Sequence, residues 1–249
     1  VLPFAAKFGF QTHNFPTNDL TVALGSQDVQ PLEIVTGYSA IANGGYKVDP
    51  WLIKEINSLT DGLLYQANPV VVCENCPRTN NEKDNAVYSA PRIIDERVAY
   101  ILNSMLRSVI EEGSGNRVQR ELGRSDLMGK TGTTNGPQEL WFSGFNRDIA
   151  STVFVGFDQP EPLGEREQGA TVALPIWIDF MERVLQDYPE KAEFVPENIT
   201  TRYINKDSAL VTRLDDPDGY TEYFMLGTEP NNLAENYSSE PGTVNEESV

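Results

Sequence analysis

The sequence predicts an α/β (α+β) fold in which an antiparallel sheet is flanked by helices on both faces. Three observations carry that prediction: an amphipathic helix over 95–112, three β-rich segments separated by turns over 127–157, and a second amphipathic helix over 172–187. Apolar residues every three or four positions mark the helices, and short β-branched or aromatic runs bounded by Gly, Pro and Asn mark the strands.

From the N-terminus, 26–45 reads as a helix. Pro31 suits a first turn, Leu32, Val35, Tyr38, Ile41 and Ala42 share a face, and Asn43-Gly44-Gly45 ends it. Residues 46–56 are strand-like, and Asp61-Gly62 offers a hairpin turn before Leu63-Leu64-Tyr65. The stretch 68–91 is rich in Pro, Asn and charge and reads as a loop. The 95–112 helix aligns Val98, Ile101, Leu102, Met105, Leu106 and Val109, with Gly113 as its stop. The three β segments are 127–135, 140–145 and 150–157, joined around Gly136-Pro137 and Asn146-Arg147-Asp148. In the last helix Leu174, Trp177, Ile178, Met181, Val184 and Leu185 align. The predicted organisation is therefore a main domain over 1–188 and an appendage over 189–249, with a few short strands and an acidic tail from Glu229.

Composition excludes several function classes. A formal net charge of −18 argues against a nucleic-acid partner, which needs concentrated Lys and Arg. No run approaches 18 apolar residues, so no membrane span or signal peptide is read from these residues. The two cysteines, Cys73 and Cys76, form a lone Cys-x-x-Cys. Two thiols without further ligands make a poor zinc site, so no metal is expected and a short disulfide closing a surface loop is the preferred reading. His13 has no Ser or carboxylate pattern around it and reads as a surface histidine; Asn198-Ile199-Thr200 and Asn236-Tyr237-Ser238 read as chance sequons.

Chemistry concentrates in Lys130-Thr131-Gly132-Thr133-Thr134. A strand that places a lysine and hydroxyls beside a glycine can line a cleft wall. Gly132 lets a substrate backbone approach, Lys130 supplies positive charge toward a carboxylate or a nucleophile's proton, and Thr131 and Thr133 supply O–H donors. Read locally, a plain turn between sheet elements is an equal alternative.

The segments Ala23-Leu24-Gly25-Ser26, Gly37 to Gly45 followed by Asp49-Pro50, Lys130 to Asn135 and Trp141-Phe142-Ser143-Gly144 together resemble the class A penicillin-binding proteins. The resemblance implies the C-terminal part of a penicillin-binding, β-lactamase-like transpeptidase fold. It implies a serine acyltransferase that cross-links peptidoglycan stem peptides and is trapped by β-lactams. It assigns Lys130 and Thr133 as catalytic, the backbone N–H of Thr133 serving as half of an oxyanion hole. Thr131, Gly132, Thr133 and Thr134 are assigned to substrate binding. No cofactor is implied, and location on the periplasmic face of the inner membrane follows, anchored through a parent segment.

One departure stands out. Stepping back three places from each lysine reaches Phe4, Gly44, Trp51, Asn80, Leu127, Tyr188 and Tyr203, so the family's Ser-x-x-Lys nucleophile motif is absent. Ser114-Gly115-Asn116 matches Ser-x-Asn in letters but follows a long helix and comes too late in order, so it reads as a chance match. The expectation is that the first two motifs lie upstream in the intact protein, whose N-terminal part is then a partner of this chain. Two alternatives stay open: a serine β-lactamase or β-lactam sensor, and a non-catalytic envelope interaction module that keeps the scaffold without the nucleophile.

Overall fold

The computed structural model describes residues 1–72 and 89–234. The Cys73–Cys76 pairing, most of the 68–91 loop and the acidic tail beyond 234 lie outside the described residues. Two compact units divide at Phe194/Val195.

In the first unit α1 (Leu2–Lys7), α2 (Pro31–Ala42), β1 (Glu55–Ser58), β2 (Gly62–Gln66), α3 (Glu96–Glu111), α4 (Asn116–Leu122), β3 (Met128–Thr133), β4 (Glu139–Phe145), β5 (Ala150–Gly156) and α5 (Leu174–Val184) follow one another. The central sheet is antiparallel in the order β3-β4-β5. The pairs Lys130↔Ser143, Thr131↔Phe142 and Gly132↔Trp141 set the β3–β4 register. Strand side chains alternate, so Gly129, Thr131 and Thr133 share one face with Phe142 and Gly144. Met128, Lys130 and Gly132 share the other with Trp141, Ser143 and Phe145.

Each face has its own helical cover. Phe142, Leu174, Trp177, Ile178 and Met181 bury together with Ile110, Val118 and Leu127 on the α5 side. Met128, Phe145, Leu106 and Ala42 form the cluster on the α2–α3 side. Phe142 meets Trp177 edge-on with ring centroids 5.0 Å apart, an arrangement that adds to plain burial. A Cβ on Gly144 would lie 2.5 Å from the Trp177 ring, so that indole lies against the sheet only because residue 144 is glycine. Burial pushes the Tyr38 phenol, beside Phe145 on the α2 side, up to about 12.

Several elements differ from the sequence reading. The helix read over 26–45 is α2 and begins at Pro31, not near Ser26, because the residue before a proline is driven out of the helical region: Gln30 is extended, and its N–H donates to Glu33 Oε2 at 2.8 Å. The strand read over 46–56 shortens to Glu55–Ser58, with Tyr46 making an isolated bridge to Arg92. Pro50, which lacks an N–H, interrupts the rest. α4 was not anticipated; seven residues with only Val118 buried give too little periodicity to read. The last helix is preceded by a wide π-type turn over Gly169–Ala173, since Pro175 gives no N–H to the turn before it. By contrast α3 starts where expected, at an N-cap: Asp95 accepts from the Arg97 N–H at 2.9 Å.

The second unit pairs β6 (Ile199–Asn205) with β7 (Gly219–Met225), antiparallel, from Ile199↔Met225 to Asn205↔Gly219. Asp216 ties the connection between them, accepting from Thr212 Oγ1 at 2.6 Å and Asn205 Nδ2 at 3.1 Å.

Candidate active-site strand

β3 emerges from a polar clamp. Arg124 and Asp126 form an ion pair at 2.7 Å, Asn146 Nδ2 donates to the same carboxylate at 3.2 Å, and Arg124 NH1 reaches the Tyr188 carbonyl at 2.9 Å. Burial alone would raise the Asp126 pKa, but Arg124 and Asn146 hold it below the usual carboxylate range. The strand's first two residues then enter the core, Met128 being 2% exposed. A Cβ on Gly129 would stand 2.7 Å from the Phe142 ring.

From Lys130 onward the same strand opens to solvent. Among the described residues β4 is its single strand neighbour. The Thr134 N–H donates to the Glu139 carbonyl at 3.1 Å. Successive backbone groups on a strand point to opposite edges, so the N–H and C=O of Thr133 and Thr131 point to the free edge. Lys130 Nζ bends toward that edge and donates to the Thr131 carbonyl at 2.8 Å.

The hydroxyls have distinct partners. Thr131 Oγ1 lies 2.8 Å from Ser114 Oγ. Thr133 Oγ1 accepts from the Gly169 N–H at 3.0 Å. Thr134 Oγ1 accepts from the Gln138 and Glu139 N–H groups at 3.2 and 3.0 Å, so this oxygen closes the β3–β4 turn and only its O–H faces outward duties. On the Lys130 face, Gly132 lies against Trp141, where a Cβ would come within 3.0 Å of the Trp141 Cβ. Trp141 itself packs on Phe154 at 4.5 Å, while Phe142 is fully buried.

The structure thus brings Lys130, Thr131, Gly132 and Thr133 to one open edge and turns Thr134 toward the hairpin. Sequence reasoning missed two contributors. Ser114, set aside as a chance match, stands against Thr131. Gly169 approaches so closely that a Cβ would lie 2.4 Å from the Trp141 carbonyl oxygen and 2.6 Å from that of Gly132. Ser114 had a readable signal, a hydroxyl between two glycines after a long helix; Gly169 had none.

A family model described as the penicillin binding protein transpeptidase domain matches residues 6–182. The chain belongs to the penicillin-binding protein transpeptidase family. It is 39% identical to penicillin-binding protein 1A of Pseudomonas aeruginosa, over 94% of this chain and 32% of that protein. It is 32% identical to penicillin-binding protein 1A of Vibrio cholerae, over 95% of this chain and 32% of that protein. These are class A penicillin-binding proteins, and the chain corresponds to the C-terminal part of them, spanning about a third of their length. The crystal structure of penicillin-binding protein 1A from Haemophilus influenzae superposes with a TM-score of 0.82 at 32% identity, covering 94% of this chain and 37% of that one. Penicillin-binding protein A from M. tuberculosis, solved as a ceftriaxone acyl-enzyme complex, shares the fold at a TM-score of 0.51 and 20% identity, covering 74% of this chain and 42% of that one. Among the described residues no helix is long and apolar enough to cross a membrane.

Proposed function

We propose that this chain is the Lys-Thr-Gly wall of a D-Ala-D-Ala transpeptidase, and that the nucleophilic serine is contributed by another part of the intact polypeptide. The observation that carries this reading is the convergence of Lys130, Thr131 and Thr133 on the free edge of β3 in a chain of this family. A stem peptide lies along that edge as an added strand, pairing with the exposed N–H and C=O of Thr133.

In this reading the serine oxygen attacks the penultimate D-Ala carbonyl. A C–O bond forms, the C–N bond breaks, and the serine proton passes to the departing amine of terminal D-Ala. An amine on a neighbouring strand then attacks the ester: a new C–N bond forms, the C–O bond to serine breaks, and a proton from that amine goes to the serine oxygen. Lys130 supports the proton transfer beside the serine. The Thr133 N–H, already aimed outward by the sheet, supplies half of the oxyanion hole. Thr131 and Thr133 hold the substrate carboxylate, Gly132 admits the backbone, and Thr134 contributes through its remaining O–H. β-Lactams acylate the same serine. The main domain, read over 1–188 from the sequence, and the appendage after it belong to an intact protein that works at the periplasmic face of the inner membrane and carries a glycosyltransferase domain and an anchor.

Labelling the intact polypeptide with a fluorescent penicillin tests the reading. Lys130→Ala is expected to slow acylation by about a hundredfold or more, the range for a group that moves a proton in the transition state. Labelling at the native rate would overturn the assignment.

A further inference from the structure

The pairing of Ser114 with Thr131 adds a residue to this site. The last turn of α3 closes with the Gly113 N–H donating to the Ser108 carbonyl at 3.0 Å and the Gly115 N–H to the Val109 carbonyl at 2.9 Å. A Cβ on Gly113 would lie 2.9 Å from the Val109 Cα, and one on Gly115 would lie 2.9 Å from Ile110 Cδ1 and 3.1 Å from the Val109 carbonyl oxygen. Ile110 is fully buried and cannot withdraw. The tripeptide Gly-Ser-Gly is therefore wedged against the helix end. Its single side chain, Ser114, is held out over β3, 2.8 Å from Thr131 Oγ1.

Either hydroxyl can donate in this contact, and in both cases one proton is left over. A hydroxyl has one proton and two lone pairs. Of the two protons on Ser114 and Thr131, one is spent between them and one points outward, its donor strengthened by the bond its oxygen accepts. Thr133 already accepts from the Gly169 N–H, so its own proton also points outward. Thr131 and Thr133 lie on one face, two residues or roughly 7 Å apart along the strand. Two hydrogen bonds of about 2.7 Å to the oxygens of one carboxylate bridge such a span.

We propose that Ser114 is a positioning residue for carboxylate recognition: coupled to Thr131, it turns the Ser114–Thr131–Thr133 hydroxyl row into two outward O–H donors matched to the two oxygens of a substrate carboxylate. The proposal rests on the transpeptidase reading and deepens it, since it adds Ser114 to the two threonines that hold the substrate carboxylate.

The test compares benzylpenicillin with its methyl ester, in which the carboxylate is masked, as acylating agents of the intact polypeptide. Ser114→Ala is expected to lower the second-order acylation rate with the acid by about tenfold and to change the rate with the ester by less than about twofold, because the Thr131 donor that meets the charged carboxylate loses the hydroxyl that orients it. Ser114→Thr, which keeps the hydroxyl, is expected to restore the preference for the acid. Equal losses with acid and ester would mean a merely structural role and would overturn the proposal, as would an unchanged rate with the acid. A native polypeptide acylated by neither compound would instead bring down the transpeptidase reading itself, and this proposal with it.

Discussion

The two halves of β3 make an instructive pair. Met128 and Gly129 are sealed between the α2–α3 and α5 clusters, whereas Lys130 to Thr133, the next four residues, open to solvent. Both halves pair with β4 in one unbroken register. The buried half fixes the strand's position through packing, and the open half can then spend its side chains and its free edge on recognition. Substitutions should therefore separate cleanly: those in the open half alter acylation of a folded protein, and those under the buried half alter stability.

The largest separation is expected between Lys130→Ala, whose cost falls on acylation as given above, and Phe142→Ala. Truncating a fully buried aromatic ring costs about 3–5 kcal/mol, so Phe142→Ala should lower the thermal midpoint sharply while the surviving folded fraction still acylates. Chemical denaturation paired with labelling of the folded fraction checks both. Parallel losses of stability and rate in both variants would erase the distinction.

The two glycines of β3 sharpen the comparison further. A methyl at 129 would press on the Phe142 ring and the Ser143 carbonyl, at 2.7 and 3.1 Å, an overpacking worth about 1–3 kcal/mol. A methyl at 132 meets the Trp141 side chain first, at 3.0 Å, on the face shared with Lys130. Gly129→Ala should thus read out in unfolding, and Gly132→Ala in slower acylation at nearly native stability. An unfolding midpoint lowered more by Gly132→Ala than by Gly129→Ala would contradict the reading.

This division is legible in the sequence where local rules agree with the packing. The 95–112 helix, the three strands and the open Lys130–Thr133 stretch were legible because periodicity, Asp95 as cap and the turn residues all point the same way. The start of α2 was misplaced because the restraint before Pro31 outweighed the helical pattern upstream. Ser114 and Gly169 were missed for another reason. Ser114 lies 17 positions before Thr131 and Gly169 lies 36 positions after Thr133, and only the folded chain brings them together.

The smallest effect belongs to the α3 cap. Hydrogen bonds from the Arg97 side chain and backbone hold the Asp95 carboxyl down at about 2. A depressed carboxylate contributes stability above its unfolded value near 4 and loses it as pH falls toward 2. Asp95→Ala should cost about 1 kcal/mol at neutral pH, a gap that narrows between about pH 4 and pH 2. Thermal unfolding of both proteins across that window measures it, and a gap that stays constant would show that the charge plays no part.

If these residues supply the Lys-Thr-Gly wall while the serine comes from elsewhere, intact-mass analysis after fluorescent penicillin labelling, run on this chain and on the intact polypeptide, locates the adduct. Label on the intact polypeptide alone, on a serine outside these 249 residues, is the expected result. An adduct on a serine within this chain would contradict it.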